Sequence, residues 1–214
     1  PPGDPEQLFA KFERGGVDNA ERAFWYEYGT VNGLTVNNQP TGSWWLYKWY
    51  GDLAGNMVTT TPPSQTGFDG FAAYDPTRKI VNIVAGAGSG TNSVKVNGLS
   101  ALGSTVQVRV ESTPASGRFT AVTAPTTVAS TTATVSGGSV TVSLPNMVAT
   151  SAYHVVITPT SGVPSYQQRY EAENAAIFRA ARFASSSASA GAYVGVIDNT
   201  GDARNASYLD FIVN

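Results

Sequence analysis

The chain has no cysteine and a single histidine, and these two shortages remove a large part of protein chemistry. Without thiols there are no disulfides, no thiolate nucleophile and no sulfur-ligated metal, and one histidine alone cannot build a zinc site. The compartment is left open by this, because secreted proteins also exist without disulfides. Charge is scarce as well: 13 basic and 15 acidic side chains make up 13% of 214 residues, with a net charge of −2. Binding to nucleic acid or an anionic membrane draws on a basic surface, and this composition supplies none. No apolar run reaches membrane-spanning length, and the opening Pro-Pro-Gly-Asp-Pro does not have the form of a signal peptide.

What the sequence does hold is Gly, Ser, Thr, Val and Ala, a composition that suits an extracellular all-β protein, and 42% hydrophobic residues, enough for a core. The first 58 residues read differently. Residues 5–16 form a short helix closing at Gly15-Gly16, with Leu8, Phe9 and Phe12 on one side. The aromatic run Glu21-Arg-Ala-Phe-Trp-Tyr-Glu-Tyr-Gly29 is a strand candidate ended by glycine, and an Asn-rich connection over residues 30–42 follows. From Ser43 to Met57 the spacing predicts an aromatic helix, with Ser43 as N-cap, Leu46, Trp49, Tyr50, Leu53 and Met57 on one stripe, and Gly55-Asn56 as its stop. Helix, strand, loop, helix is the grammar of a parallel α/β unit.

From Phe68 the period becomes two. Phe71–Asp75 and Lys79–Ala85 are strands joined by the turn Asp75-Pro-Thr-Arg78; Val94 and Val96 flank Lys95; Val106, Val108 and Val110 alternate with Gln107, Arg109 and Glu111. Thr126–Val135 and Val140–Leu144 follow, joined by the hairpin turn Ser136-Gly-Gly-Ser139, and Tyr153, Val155 and Ile157 mark the last strand. Seven short strands predict an antiparallel β-sandwich with Val106, Val108, Val110, Val140, Val142, Tyr153, Val155 and Ile157 inside. Alternation sends His154 to the outer, exposed face, away from any Ser-His-Asp relay. Gly86-Ala-Gly-Ser-Gly90 follows a strand, but no helix and no Lys-Ser/Thr pair comes after it, so it reads as a hairpin loop and not a phosphate cradle.

Two stretches resemble known families. The run Ala23–Val58, with Ala-Phe-Trp-Tyr-Glu-Tyr-Gly, then Gln-Pro-Thr-Gly-Ser-Trp-Trp-Leu-Tyr-Lys-Trp-Tyr and Leu-Ala-Gly-Asn-Met-Val, is similar to the last strand and helix of a clan A (β/α)8 glycoside hydrolase near family 39. The resemblance implies that the two catalytic carboxylates sit on barrel strands ahead of Pro1. It places Trp25 and Glu27 on the active-site face, as a sugar-stacking surface and a hydrogen-bonding group.

After a linker at residues 160–168, the chain resembles the opening of a family 35 or family 6 carbohydrate-binding module. The matching pieces are Tyr-Glu-Ala-Glu-Asn from Tyr170, the loop Gly191-Ala-Tyr-Val-Gly-Val-Ile-Asp-Asn199 and Ser207-Tyr-Leu-Asp-Phe211. The resemblance implies sugar contacts through Tyr193, Asp198 and Asn199, and a structural calcium held by Glu171 and Glu173. Two glutamates two apart on a strand present hard oxygens to one side, but calcium takes six to eight, so the pair alone would bind weakly.

The expected protein is therefore mainly β: residues 1–58 the end of a (β/α)8 barrel, 59–159 a β-sandwich, 160–168 a linker and 169–214 part of a carbohydrate-binding module. It reads as the accessory C-terminal region of a secreted glycoside hydrolase, with carbohydrate and the remainder of the enzyme as partners and neither nucleic acid nor membrane. Two rivals stand beside it: a non-catalytic binding or adhesion protein built of β-sandwich modules, and a small hydrolase pairing Glu27 with Asp52 or Asp69. Asn205-Ala-Ser207 is a glycosylation acceptor only in a eukaryotic secretory pathway.

Overall fold

Valines on one face and polar residues on the other build the first part of the chain into two stacked antiparallel sheets. The computed structural model describes residues 2–18, 20, 31, 33–117, 119–161, 171–188, 190–196 and 207–211. They fall into two units, Pro1–Ser165 and Tyr166–Asn214.

In the first unit, helix α1 (Gly3–Gly15) and the short hairpin β1 (Thr35–Val36) and β2 (Gln39–Pro40) precede helix α2 (Gly42–Gly51). Eight strands follow: β3 (Asn56–Val58), β4 (Asp69–Asp75), β5 (Ile80–Gly86), β6 (Gly90–Asn97), β7 (Thr105–Thr113), β8 (Thr126–Thr134), β9 (Ser139–Met147) and β10 (Ala152–Pro159). Six of them form one sheet in the order β3-β4-β5-β10-β7-β8, and β6 and β9 form a ribbon. All pairings are antiparallel. Every strand expected from alternation is present, and Val106, Val108, Val110, Val140, Val142, Tyr153, Val155 and Ile157 all lie in one buried cluster between sheet and ribbon. Each such side chain, fully buried, contributes roughly 1.5–3 kcal/mol.

The turns behave as their residues dictate, with one difference in what they connect. Asp75 Oδ1 accepts the N–H of Thr77 at 2.9 Å and of Arg78 at 3.0 Å, closing the β4–β5 hairpin. Gly137 and Gly138, at φ 57° and 74°, make the tight turn after β8. That turn, however, leads from the large sheet into the ribbon, and Gly86–Gly90 likewise carries the chain from β5 in one sheet to β6 in the other, so it is a crossover and not a hairpin. A period of two reports which face a residue occupies but not which sheet its strand joins.

Both helices lie on the outer face of the six-stranded sheet, where Ala10, Leu46, Trp49, Phe71, Val84 and Ala152 form a second buried cluster. Helix α1 ends as expected, with Gly16 left-handed and the Val17 N–H donating to the Phe12 carbonyl at 3.1 Å. Gly3, Glu6 and Ala10 are buried and Phe9 packs against that cluster as expected, whereas Leu8 is 49% exposed. Helix α2 starts two residues earlier than expected: Thr41, not Ser43, sits at the N-cap, and its hydroxyl donates to the carbonyls of Gly33 and Leu34. The helix also stops at Gly51, so Met57 falls on the edge strand β3 and leaves the stripe, 43% exposed.

Those helices also overturn the expectation for His154. Alternation does point it away from the valine core, but that outer face is roofed by α2, so the imidazole is buried and stacked on Trp49 at 5.1 Å. The strand candidate Glu21–Gly29 lies outside the described residues.

The second unit holds a 3-10 turn, Ala172–Asn174, and two ribbons, β11 (Ala176–Phe178) with β14 (Tyr208–Asp210) and β12 (Ala181–Ala184) with β13 (Ala192–Gly195).

Candidate carbohydrate-binding and metal-ligating residues

In the second unit, strand pairing sets rings face to face. Phe183 and Tyr193 are cross-strand partners on β12 and β13, stacked with centroids 5.4 Å apart, and Tyr193 is 49% exposed. Gly195 lies beside both, where an added Cβ would sit 3.2 Å from each ring, so the missing side chain lets the pair lie over the strand. Phe178 and Tyr208 repeat the arrangement on β11 and β14 at 4.7 Å, with the Arg179 guanidinium 5.2 Å from the Phe178 ring. Exposed, rigid aromatic faces are what a sugar ring's apolar face stacks on. Phe183 and the Phe178–Tyr208 pair were not singled out in the sequence; the signal that finds them is the cross-strand register, which needs the pairing to be known.

Glu171 and Glu173 do not share a strand. Glu173 lies within the 3-10 turn and Glu171 directly before it, so the pleat does not align them. Glu173 is buried, and its Oε1 has no hydrogen-bond partner. That orphaned oxygen fits one position of a hard-cation shell. Among the described residues, no three acidic or histidine side chains gather as a metal site, so most of a calcium shell would come from elsewhere. Trp25, Glu27, Asp198 and Asn199 lie outside the described residues.

The perturbed groups are in the first unit. Glu6 is 0% exposed with both carboxylate oxygens unpartnered, and burial, with the charge of Asp69 added, pushes its pKa up to about 9 despite the opposing Arg14. Arg14 itself holds Asp69 in a two-pronged pair at 2.8 and 2.6 Å. Glu6 was missed in the sequence, although its spacing to Ala10, one turn on, puts it on the buried stripe. His154 is held neutral: burial, with Arg109's charge second, lowers its pKa to about 4 against a weaker pull from Asp52. Its Nε2 meets Asn82 Oδ1 at 3.1 Å, while Nδ1 is 3.7 Å from Glu111, beyond hydrogen-bond length. Asp52 is paired with Lys48 at the helix end. None of these carboxylates faces another across an open cleft as glycosidic hydrolysis requires: Glu6 is sealed, Asp69 neutralised and Asp52 paired.

No family model matches the chain. Among curated proteins, 3-O-alpha-D-galactosyl-alpha-L-arabinofuranosidase of Bifidobacterium longum subsp. longum is 32% identical over 101 residues, covering 45% of this chain and 9% of that protein. The 3-O-beta-L-arabinopyranosyl-alpha-L-arabinofuranosidase of Bifidobacterium pseudocatenulatum is 30% identical over 100 residues, covering 44% and 10%. The chain thus spans about a tenth of the length of the curated relatives it matches. Among solved structures, N2152 from Neocallimastix frontalis shares 30% identity and a TM-score of 0.70, over 74% of this chain and 41% of its own. Over these stretches the chain is related to glycoside hydrolases that act on arabinofuranosyl linkages.

Proposed function

We propose that this chain is an accessory C-terminal region of a secreted glycoside hydrolase that acts on arabinofuranosyl-containing polysaccharide or oligosaccharide. The observation that carries the reading is the relationship, over about 100 residues, to two arabinofuranosidases. The protonated or paired state of Glu6, Asp69 and Asp52 supports a catalytic pair located outside this chain. In this reading the whole enzyme works through a carboxylic acid and a carboxylate nucleophile about 5–5.5 Å apart, with retention. This reading gives Trp25 a sugar-stacking role and Glu27 a hydrogen-bonding role in that enzyme.

The second unit supplies the sugar contact, through Tyr193 stacked on Phe183, with Asp198 and Asn199 as hydrogen-bonding partners and Glu171 and Glu173 as the beginning of a calcium site. Sugar binding of this kind needs an amphipathic surface with one apolar face and polar neighbours, which the exposed Tyr193 ring provides.

Affinity electrophoresis of the 214-residue chain in gels containing arabinan or arabinogalactan, with a turnover assay on aryl arabinofuranosides, tests the reading. Retardation by one of the polysaccharides, lost in Tyr193→Ala, together with no turnover, is the expected result. Turnover abolished by Glu27→Gln would instead favour a small hydrolase within this chain, and mobility unaffected by any polysaccharide would remove the sugar-binding role.

A further inference from the structure

Among the described residues, the large sheet and the ribbon of the first unit have four free edges, and three of them carry a device that discourages further pairing. The edge strand β3 has only three residues. In the ribbon, β6 carries the exposed Lys95 and a bulge between Gly90 and Asn92, and β9 carries Pro145, which has no N–H to give. Short strands, lysine, bulges and proline are the usual means of blunting an edge. The fourth edge is β8, which pairs with β7 and, among the described residues, with no other strand. It has nine residues and neither charge nor proline. Its one irregularity leaves Val128 without a cross-strand partner; from Ala129 to Thr134 the register with β7 runs unbroken, with Ala129 opposite Val110 and Thr134 opposite Thr105.

The edge is also open. Ser130, Thr131 and Thr132 are exposed, and Thr131 is so although its neighbours on the same face, Ala129 and Ala133, pack against the core. Charge is missing from its surroundings in the sequence: residues 119–168 contain no Asp, Glu, Lys or Arg. Beside it on β7, Arg109 and Glu111 are paired with each other at 3.1 Å. Net charge helps keep proteins monomeric, and here it is absent where a strand has one side unpaired.

We infer that β8 pairs with β8 of a second copy of this chain, antiparallel and about a two-fold axis at Thr131, joining the two large sheets into one. What the edge offers selects that partner. A foreign strand is chosen by side-chain pockets or by charge beside the edge, and the small and hydroxyl side chains of residues 129–133 supply neither. An identical strand needs neither. In an antiparallel pair the buried and exposed faces match only when the axis passes through a residue. With Thr131 on it, Ala129 lies opposite Ala133 and Ser130 opposite Thr132, so hydroxyls meet hydroxyls and no charge is buried. Because the surface is self-complementary, association closes at two chains. The contact is short, which puts it among the weak, concentration-dependent interfaces. The inference rests on the first unit alone and is independent of sugar binding.

Sedimentation velocity on the 214-residue chain, from micromolar to millimolar concentration, tests it. The average mass is expected to climb from one chain toward two and no further. Thr131→Lys sets two ammonium groups against each other on the axis and is expected to raise the dissociation constant about tenfold or more, with an unchanged urea midpoint. Thr141→Lys, at an exposed position of β9, should leave association as it was. Because the chain has no cysteine, single cysteines at positions 130, 131 and 132 give a readout that does not depend on the lysine variant. Oxidation should link Thr131→Cys to its own copy and leave Ser130→Cys and Thr132→Cys largely unlinked, since only the axial residue faces itself. A chain that stays single at every concentration would overturn the inference and leave the edge to a foreign strand. Association that Thr131→Lys does not weaken, or equal linking at all three positions, would overturn it too and assign the contact to another surface.

Discussion

A single buried carboxylate shows how far residue-level physics departs from a residue's usual role. Glu6 sits on the stripe of α1 that faces the sheet, 0% exposed, against Gly86 on β5, where an added Cβ would meet its Oε2 at 2.8 Å. Glycine at 86 is thus what admits the side chain. The facing groups are Asp69 and Arg14, and their charges largely serve each other, so burial decides and the carboxyl is neutral up to about pH 9. In the unfolded chain the same group ionises near 4.5, so between those values the folded state holds one proton more and stability falls as pH rises. Glu6→Gln keeps shape and removes the titration. It is expected to stabilise the protein by an amount that grows from pH 5 to pH 9, seen as a rising gap in urea midpoint; a constant gap would mean Glu6 ionises normally. The position of Glu6 on the stripe was legible from its spacing to Ala10. Its protonation was not, because burial depends on Gly86 and Asp69, which are remote in the sequence.

At the scale of elements, strands were legible and helix limits were not. Alternating valines specify β7 and β9 by themselves, since a slip of one residue would turn every valine outward. For α2 the apolar spacing continues through Leu53 and Met57, but the backbone leaves the helix at Gly51, because Asn56–Val58 pairs with β4. Its start is set by a close approach that no local pattern reveals. Gly42 donates its N–H to Ser116 Oγ at 2.9 Å and accepts the Thr113 hydroxyl at 3.0 Å, and a Cβ there would lie 2.0 Å from the Pro114 carbonyl oxygen. The Trp45 indole donates to the Val122 carbonyl at 2.7 Å, so the same loop holds α2 at two points. Gly42→Ala must push backbone against backbone and is expected to cost about 1–3 kcal/mol. Chemical denaturation measures this directly, and unchanged stability would show that the helix start can shift freely.

Across the whole molecule, two buried groups with opposite shifts set the pH profile of the first unit. His154 faces Trp49 from α2, Asn82 from β5 and Glu111 and Arg109 from β7; Glu111 is engaged by Arg109 at 3.1 Å, and the imidazole is neutral down to about pH 4. Its unfolded value is 6.5, so between 4 and 6.5 the unfolded chain binds one proton more and stability rises with pH. Glu6 acts in the opposite sense from 4.5 to 9. Where the windows overlap, 4.5 to 6.5, the two slopes cancel; above 6.5, of these two groups, Glu6 alone still contributes a slope. At 1.36 kcal/mol per pKa unit, the loss from there to pH 9 is on the order of 3 kcal/mol. The helices create both effects, since without α1 and α2 on the sheet's outer face Glu6 would be solvated and His154 would titrate normally. Urea denaturation from pH 4 to pH 9 is therefore expected to show a mildly acidic plateau and an alkaline decline. Glu6→Gln should flatten the decline, and His154→Gln should tilt the plateau so that stability falls from pH 4.5 to 6.5, because Glu6 then acts unopposed. A profile that climbs steadily from pH 5 to pH 9 would mean the helices do not seal that face.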